Sequence, residues 1–456
     1  MIETSCAARA DQLLFPRWLL TLDETSADQG LVPLQDQAVV LAAGKIVAVL
    51  SQQAAGAAYP HLQPLELADQ LLLPGLHNLH GHAAMALFRG MSDDLPLMTW
   101  LQEHIWPAEG RWMSAEFVRS GTRLAIAEML LNGTTCFSDM YFFPEVVAEV
   151  AAELGIRAQV CAPIINLPNP WSQNADDALD KTLLLHQQYQ NHPLIRIAFG
   201  PHAPYTVADE PLQRLVELNQ DLGLKVQMHL HETADEVKQA TEDNGIRPIQ
   251  RLHQLGLLNE HFQAVHVTCI NPDEIRLLAE QQVTLVHCPQ SNLKLASGFC
   301  PVEAMRQAGV NITLGTDGAA SNNDLDLWAE MQTAALLAKA VHHDAAALPA
   351  AEALKMVTVD GGKALGQPVC TGQIRSGFAA DLCSLQLNSP DCWPQHHLLS
   401  QLVYGRVADK VQNVWVNGQH QVINGKLRGI NLDALREDAA SWCDRIQAHS
   451  PEGKST

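Results

Sequence analysis

Between residues 75 and 370, eight short apolar runs alternate with segments of helical period. That alternation constrains the fold more than any other feature of the chain. The runs are GLHNLH (75–80), GTTCFSD (133–139), IRAQVCA (156–162), IRIAFGPH (195–202), LKVQMHL (224–230), AVHVT (264–268), VTLVHC (283–288) and NITLGTD (311–317). Between them lie helical patterns such as SAEFVRSGTRLAIAEMLLN and DEPLQRLVELNQDLG. Eight strands alternating with helices predict an α/β chain folded as a (β/α)8 barrel. An open doubly wound sheet would begin at a glycine-rich phosphate loop, and neither GxGxxG nor GxxxxGK[ST] occurs. With 456 residues, 47% of them hydrophobic, the chain is long enough for such a barrel and a smaller second unit.

The two ends have a different texture. LLFPRWLLTL, AVVLAAGKIVAVL and LELADQLLLPGL read as short strands, with Gly44-Lys45 as a turn and no helix-length periodic stretch before His80. GQIRSGFAADLCSL and VQNVWVNGQHQVINGKL repeat the strand-turn-strand signal around Asn417-Gly418. One discontinuous β-sandwich domain from both termini is expected. It would comprise residues 1–72 and 373–456, the latter with a terminal helix, around a catalytic barrel at 73–372.

Composition narrows the partners. There are 29 basic and 50 acidic side chains, a formal charge of -21. Phosphate binding needs a basic surface, so nucleic acid and anionic membrane are disfavoured and a neutral or cationic small molecule fits. The apolar stretches are too short to span a bilayer, and the N-terminus lacks the basic start and long apolar run of a signal peptide. Ten cysteines without a CxxC pair read as reduced thiols, which makes the cytoplasm the expected location. A homo-oligomer is the expected assembly.

Twenty histidines are an excess from which spacing must select. His80 and His82 end the first barrel strand, and residues two apart in a strand point the same way. His229 ends the fifth strand and Asp317 the eighth. The C-terminal strand tips form the catalytic rim of such barrels. Three imidazoles and a carboxylate on that rim predict one divalent ion. Zinc is expected over iron or another first-row metal, because hydrolysis needs no redox chemistry. Glu232, three residues past His229, is placed to carry a proton over the ion, although a first-turn helix glutamate is the plainer alternative. His266 at the sixth strand tip is a candidate for orienting the attacked atom. His202 and His287 also sit at strand tips, while the odd offset of His77 marks it as structural. Glu109, in HIWPAEG, follows a run of large residues (Leu97, Met98, Trp100, Leu101, Ile105, Trp106) that reads as a helical flap, where its two oxygens can accept hydroxyls.

The ordered segments LLLPGLHNLHGHAAMALFRG, WLQEHIWPAE, GPHAPYTV, HLHETADEV, HCPQSNLKLASG, LGTDGAASNN and GQIRSGFAADL span most of the chain. In them it resembles the amidohydrolase superfamily, in the branch of chlorohydrolases, guanine deaminase and 5'-methylthioadenosine/S-adenosylhomocysteine deaminase. The resemblance implies a distorted barrel with metal ligands His80, His82, His229 and Asp317. It implies Glu232 as proton shuttle, His266 and Asp317 as further catalytic groups, and Glu109, His202 and Glu232 as substrate contacts. No lysine follows the fourth strand or flanks His229, which resembles the mononuclear members. The reaction implied is zinc-dependent deamination of a purine nucleoside, 5'-methylthioadenosine above all, with S-adenosylhomocysteine or adenosine as further substrates.

One departure bears on the substrate. Members that accept an amino-acid tail use arginines for its carboxylate, and residues 165–181 here contain none and carry Asp176 and Asp177. Like charge there would disfavour the tail, unless Arg89, Arg111, Arg157 or a neighbouring subunit's arginine reaches in. A guanine or 8-oxoguanine deaminase and a triazine or pyrimidine hydrolase are alternatives of the same build, but a free base leaves Glu109 without a ribose. A non-enzymatic scaffold would have lost ligands, and a nucleic-acid base deaminase needs a PCxxC that is absent.

Overall fold

The computed structural model describes residues 10–366 and 370–448, so the first nine positions of the stretch read for a leader lie outside it. The N-terminal segment supplies strands β1 (Gln12–Leu19), β2 (Gln37–Ala42), β3 (Lys45–Ser51) and β4 (Leu65–Pro74). The barrel strands are β5 (Leu76–Asn78), β6 (Thr134–Asp139), β7 (Arg157–Ile164), β8 (Ile195–Pro201), β9 (Val226–Leu230), β10 (Phe262–His266), β11 (Thr284–His287) and β12 (Asn311–Leu314). The C-terminal segment adds β13 (Leu382–Gln386), β14 (Val411–Val416), β15 (Gln419–Ile423) and β16 (Lys426–Leu427).

Strands β5 to β12 pair in chain order, each parallel to the next. The Leu79 N–H donates to the Leu314 carbonyl (2.9 Å) and so joins the first strand to the last. Nearly every residue of these strands is buried, as expected where side chains fill a barrel on one side and helices cover the other. The helices have recognisable ends. Ser114 caps helix Ala115–Leu131 and Asn271 forms a capping box on Pro272–Glu280, while Gly155, Gly223 and Gly245 take the left-handed conformation that closes three others.

The termini form one eight-stranded sheet in the order β16-β15-β14-β13-β4-β1-β2-β3, so both ends of the chain share it, as expected. Two of its tight hairpins turn at Ala43-Gly44 and Asn417-Gly418, each with both residues at positive φ. The first turn is therefore one residue earlier than the sequence suggested. The turns meet: a Cβ on Gly44 would lie 2.7 Å from Asn417 Oδ1, so glycine is required for the approach. A helix at Gln52–Ala58 was not expected. Its seven residues, with only Ala55 buried, are too few to show a period.

The C-terminal helix (Leu432–Gln447) docks on the barrel. Trp442 is buried edge-on to Phe117 of helix Ala115–Leu131 at 5.1 Å. Arg157 at the start of β7 bonds the Asp381 carboxylate at 2.8 and 3.1 Å, and both side chains are buried. Each described cysteine is a free thiol, and no described helix is long and apolar enough to cross a membrane.

Candidate active site

The hydrogen-bonded ladder of β5 stops at Asn78, so His80 and His82 lie beyond the strand and do not end it, contrary to the sequence reading. The chain instead leans on its other neighbours. Leu79 bonds Leu314, the His80 carbonyl accepts from the Asp317 N–H (3.0 Å), and the Gly81 carbonyl accepts from the Met140 N–H (3.0 Å). Asn78 ties the same rim to Thr316 through its side chain. Gly315 makes room for this crossing, because a Cβ there would fall 2.7 Å from the His80 Cβ. Asp317 likewise lies three residues past β12, at φ 63°. His229 is inside β9 and His266 ends β10.

The four expected ligands converge. His82 Nδ1 donates to the Met140 carbonyl (2.6 Å) and His229 Nδ1 to the His202 carbonyl (2.8 Å). A carbonyl only accepts, so in both rings Nδ1 carries a proton and Nε2 faces the centre. His229 Nε2 is 3.2 Å from His80 Nε2, and Asp317 Oδ1 is 3.2 Å from His82 Nε2 and 3.5 Å from His80 Nε2. A tetrahedron with ordinary zinc–ligand bonds has an edge of about 3.3 Å, so the donor spacing fits one ion. Electrostatics agree. Burial lowers the pKa of His80, and of His229 far below the ordinary value, whereas at His82 the Asp317 carboxylate outweighs burial and raises it to about 9. The cluster thus draws positive charge to the point where an ion would sit. The His266 ring belongs to the same cluster, in donor range of His80 and Asp317.

Asp317 does more than cap a turn. Its Oδ1 accepts from the Gly318 N–H (2.7 Å), while Ser291 Oγ donates to its Oδ2 (2.7 Å). Glu232 precedes helix Ala234–Asn244, and the first-turn glutamate is Glu236 instead. The Glu236 carboxylate accepts the N–H groups of His231 and Glu232, which fixes the turn and leaves the Glu232 side chain facing inward. Burial first and Asp317 second push Glu232 up to about 8. His266 Nδ1 bonds Asn292 Oδ1 (2.9 Å), so its Nε2 faces Glu232 Oε2 at 3.9 Å.

A cavity of about 480 Å³ opens over this cluster, within the usual range for small-molecule sites. One wall is the flap, helical from residue 97 to 112, with a wide π turn (Trp100–Ile105) just before Pro107. Leu97, Trp100, Leu101, Ile105 and Trp106 line the cavity, but Met98 does not. Glu109 lines it too and is not turned to solvent: Tyr141 Oη donates to its Oε1 at 2.8 Å. Burial raises Glu109 to about 7 against the pull of that bond. His202 stands beside His229, ring centres 5.0 Å apart, and burial lowers it to about 4, so it is neutral. Tyr141, Ser291, Asn292 and Gln227 were not singled out by the sequence, although Ser291 and Asn292 fall in the HCPQSN motif.

His77 and the arginines are placed elsewhere. His77 is buried below the site against the Thr358 carbonyl (2.7 Å). Arg157 is held by Asp381, Arg89 pairs with Glu128, and Arg111 does not line the cavity. Asp176 and Asp177 are not there either. They lie in the first turn of helix Ala175–Tyr189, paired with Arg214 and Lys181, where the helix dipole favours acids. The expected repulsion from these two aspartates therefore does not arise. Residues 165–170 face the cavity with Ile165, Leu167, Pro168, Asn169 and Pro170, and no lysine or arginine lines it among the described residues.

Known proteins bear on this site. The amidohydrolase family model matches residues 71–420. A 5-methylthioadenosine/S-adenosylhomocysteine deaminase of Saccharophagus degradans is 45% identical over 445 residues, 98% of this chain and 99% of that protein. A 5'-deoxyadenosine deaminase of Methanopyrus kandleri is 41% identical over 84% of this chain and 88% of its own. The crystal structure of an adenosine deaminase from Xanthomonas campestris with bound zinc superimposes with a TM-score of 0.93 at 44% identity, covering 97% and 99% of the two chains. An atrazine chlorohydrolase of Arthrobacter aurescens (TM-score 0.87, 23% identity, 95% and 100% coverage) shares the fold alone.

Proposed function

This chain belongs to the amidohydrolase family, and from that premise we propose that it hydrolyses 5'-methylthioadenosine to 5'-methylthioinosine and ammonia with one divalent ion, zinc. The observation that carries the substrate is the cavity itself. It has the Glu109 carboxylate at one wall, an apolar flap and loop around it, and no lysine or arginine for an amino-acid tail among the described residues.

His80, His82, His229 and Asp317 would hold the ion, which would lower the pKa of a bound water. Asp317 and Glu232 stand where they would accept a proton from the water whose oxygen bonds the ring carbon bearing the amine. Glu232, whose raised pKa suits an acid near neutrality, delivers a proton to the adjacent ring nitrogen. His266 faces the same point, where Nε2, unprotonated while Nδ1 donates to Asn292, orients the attacking water by accepting a hydrogen bond from it. Ammonia leaves with the second proton. Glu109, held by Tyr141, accepts the ribose hydroxyls, and His202 packs against the substrate. A free base makes no use of Glu109, which is why guanine is not the proposed substrate.

The free thiols agree with a cytoplasmic enzyme, and a homo-oligomer is the assembly we expect. The test is kcat/KM for 5'-methylthioadenosine, adenosine, S-adenosylhomocysteine and guanine on one zinc-loaded preparation, with ammonia as the readout. 5'-Methylthioadenosine should be best and S-adenosylhomocysteine much poorer. Equal activity on S-adenosylhomocysteine would overturn the argument from the uncharged wall. Best activity on guanine would overturn the nucleoside assignment.

A further inference from the structure

Below the ligand cluster, the barrel interior holds a layer of three buried amides: Gln159 on β7, Gln227 on β9 and Gln263 on β10. Gln227 and Gln263 are direct cross-strand partners. The two ends of an amide are told apart by their partners. Gln227 Nε2 lies 2.9 Å from the Leu79 carbonyl oxygen, which can only accept, and 2.9 Å from Gln263 Oε1. Its Oε1 must then be the atom 2.9 Å from His80 Nδ1. An amide oxygen there requires the proton on His80 Nδ1, which turns the Nε2 lone pair toward Asp317 and His229. Gln263 is fixed in its turn, because its Nε2 donates to the Ala364 carbonyl (3.1 Å) while its Oε1 also accepts from Gln159 (2.7 Å).

We propose that Gln227 is the positioning residue of the metal centre, selecting the tautomer and orientation in which His80 ligates. The other two imidazoles are oriented by main-chain carbonyls, which every residue type supplies. His80 is oriented by a side chain, so its geometry depends on the residue at 227. Such outer partners typically govern metal affinity by 10–100-fold. The partner here is a neutral amide and not a carboxylate. The same group must donate to Leu79 and Gln263, which an ionised carboxylate cannot do.

The proposal rests on the metal reading above, and zinc affinity separates the two. The measurements are the zinc dissociation constant by chelator competition, the visible spectrum of the cobalt-loaded protein, and the melting temperature of the metal-free protein. Gln227→Met should weaken zinc roughly 10–100-fold and shift the cobalt bands. Gln159→Met, in the same layer but away from His80, should leave both unchanged while still lowering the metal-free melting temperature. Gln227→Glu keeps an acceptor for His80 Nδ1 and, protonated, a donor for Leu79. It should restore zinc affinity to within a few-fold of wild type, and it serves as the reading if Gln227→Met does not fold. Unchanged zinc affinity in Gln227→Met, an equal loss in Gln159→Met, or a full loss in Gln227→Glu would overturn the positioning role. Wild-type protein that binds no zinc would overturn the metal reading and this inference with it.

Discussion

At the scale of single residues, burial raises two cavity carboxyls of which the proposed function asks opposite tasks. Glu232 is pushed up to about 8, the state of an acid that can give a proton near neutrality. Glu232→Gln keeps the shape and removes the transferable proton, so it should bind substrate normally and lose kcat by roughly 10²–10⁴. Steady-state kinetics on metal-matched preparations checks this, and a near-normal kcat would return Glu232 to a structural role. In the proposed function Glu109 must instead be ionised to accept two hydroxyls. Burial raises it to about 7 and the Tyr141 hydrogen bond draws it down. Protonation removes acceptor capacity, so KM for the nucleoside should rise as pH falls below about 7. Removing the donor in Tyr141→Phe should move that acid limb to higher pH, since the bond favours the ionised form. A pH profile of KM that is identical in the variant would exclude Tyr141 from setting the Glu109 charge.

At the scale of elements, the flap supplies one wall of the cavity. Its π turn, next to a proline that lacks an N–H, swings Trp106 and Glu109 to the cavity wall while Trp100 stays anchored by its indole N–H on the Ser92 carbonyl (3.2 Å). Trp106 is 41% exposed although it lines the cavity, so it contributes little to folding. Trp106→Ala should change stability by less than about 0.5 kcal/mol yet raise KM for 5'-methylthioadenosine roughly 10-fold. Urea titration and kinetics on the same preparation separate these effects. A large stability loss with unchanged KM would make the residue part of the core. The flap was legible as an apolar helical stretch. Which of its residues face the cavity was not, because a π turn shifts the face relative to an ideal 3.6 period. The strand ends were off for a related reason: Leu79 and His80 find their backbone partners across the closure to β12, and no local period reports that.

At the scale of the whole molecule, Arg157 and Asp381 tie the barrel to the sheet built from both termini. Burial alone would raise Asp381, but Arg157 more than offsets it and lowers its pKa. The contribution of the pair is therefore present above the unfolded carboxylate value of about 3.9 and lost as pH falls toward the lower folded value. Arg157→Ala should cost about 3–5 kcal/mol at neutral pH, because it leaves Asp381 buried and unpaired. The gap from wild type should narrow in acid, as denaturant unfolding at several pH values would show, and a cost below about 1 kcal/mol would demote the pair to an ordinary surface contact. The sequence by itself determined the order of the barrel strands and helices, the rim that carries the imidazoles and the carboxylate, and the Asn417-Gly418 turn, with the turn at Gly44 placed to within one residue, because period and turn chemistry are local. Only the tertiary structure decided the partners of those groups. Tyr141 meets Glu109 from 32 residues away, Gln227 meets His80 from 147, and Arg157 meets Asp381 from 224. Barrel closure and strand register set such contacts, and neither leaves a periodic trace along the chain.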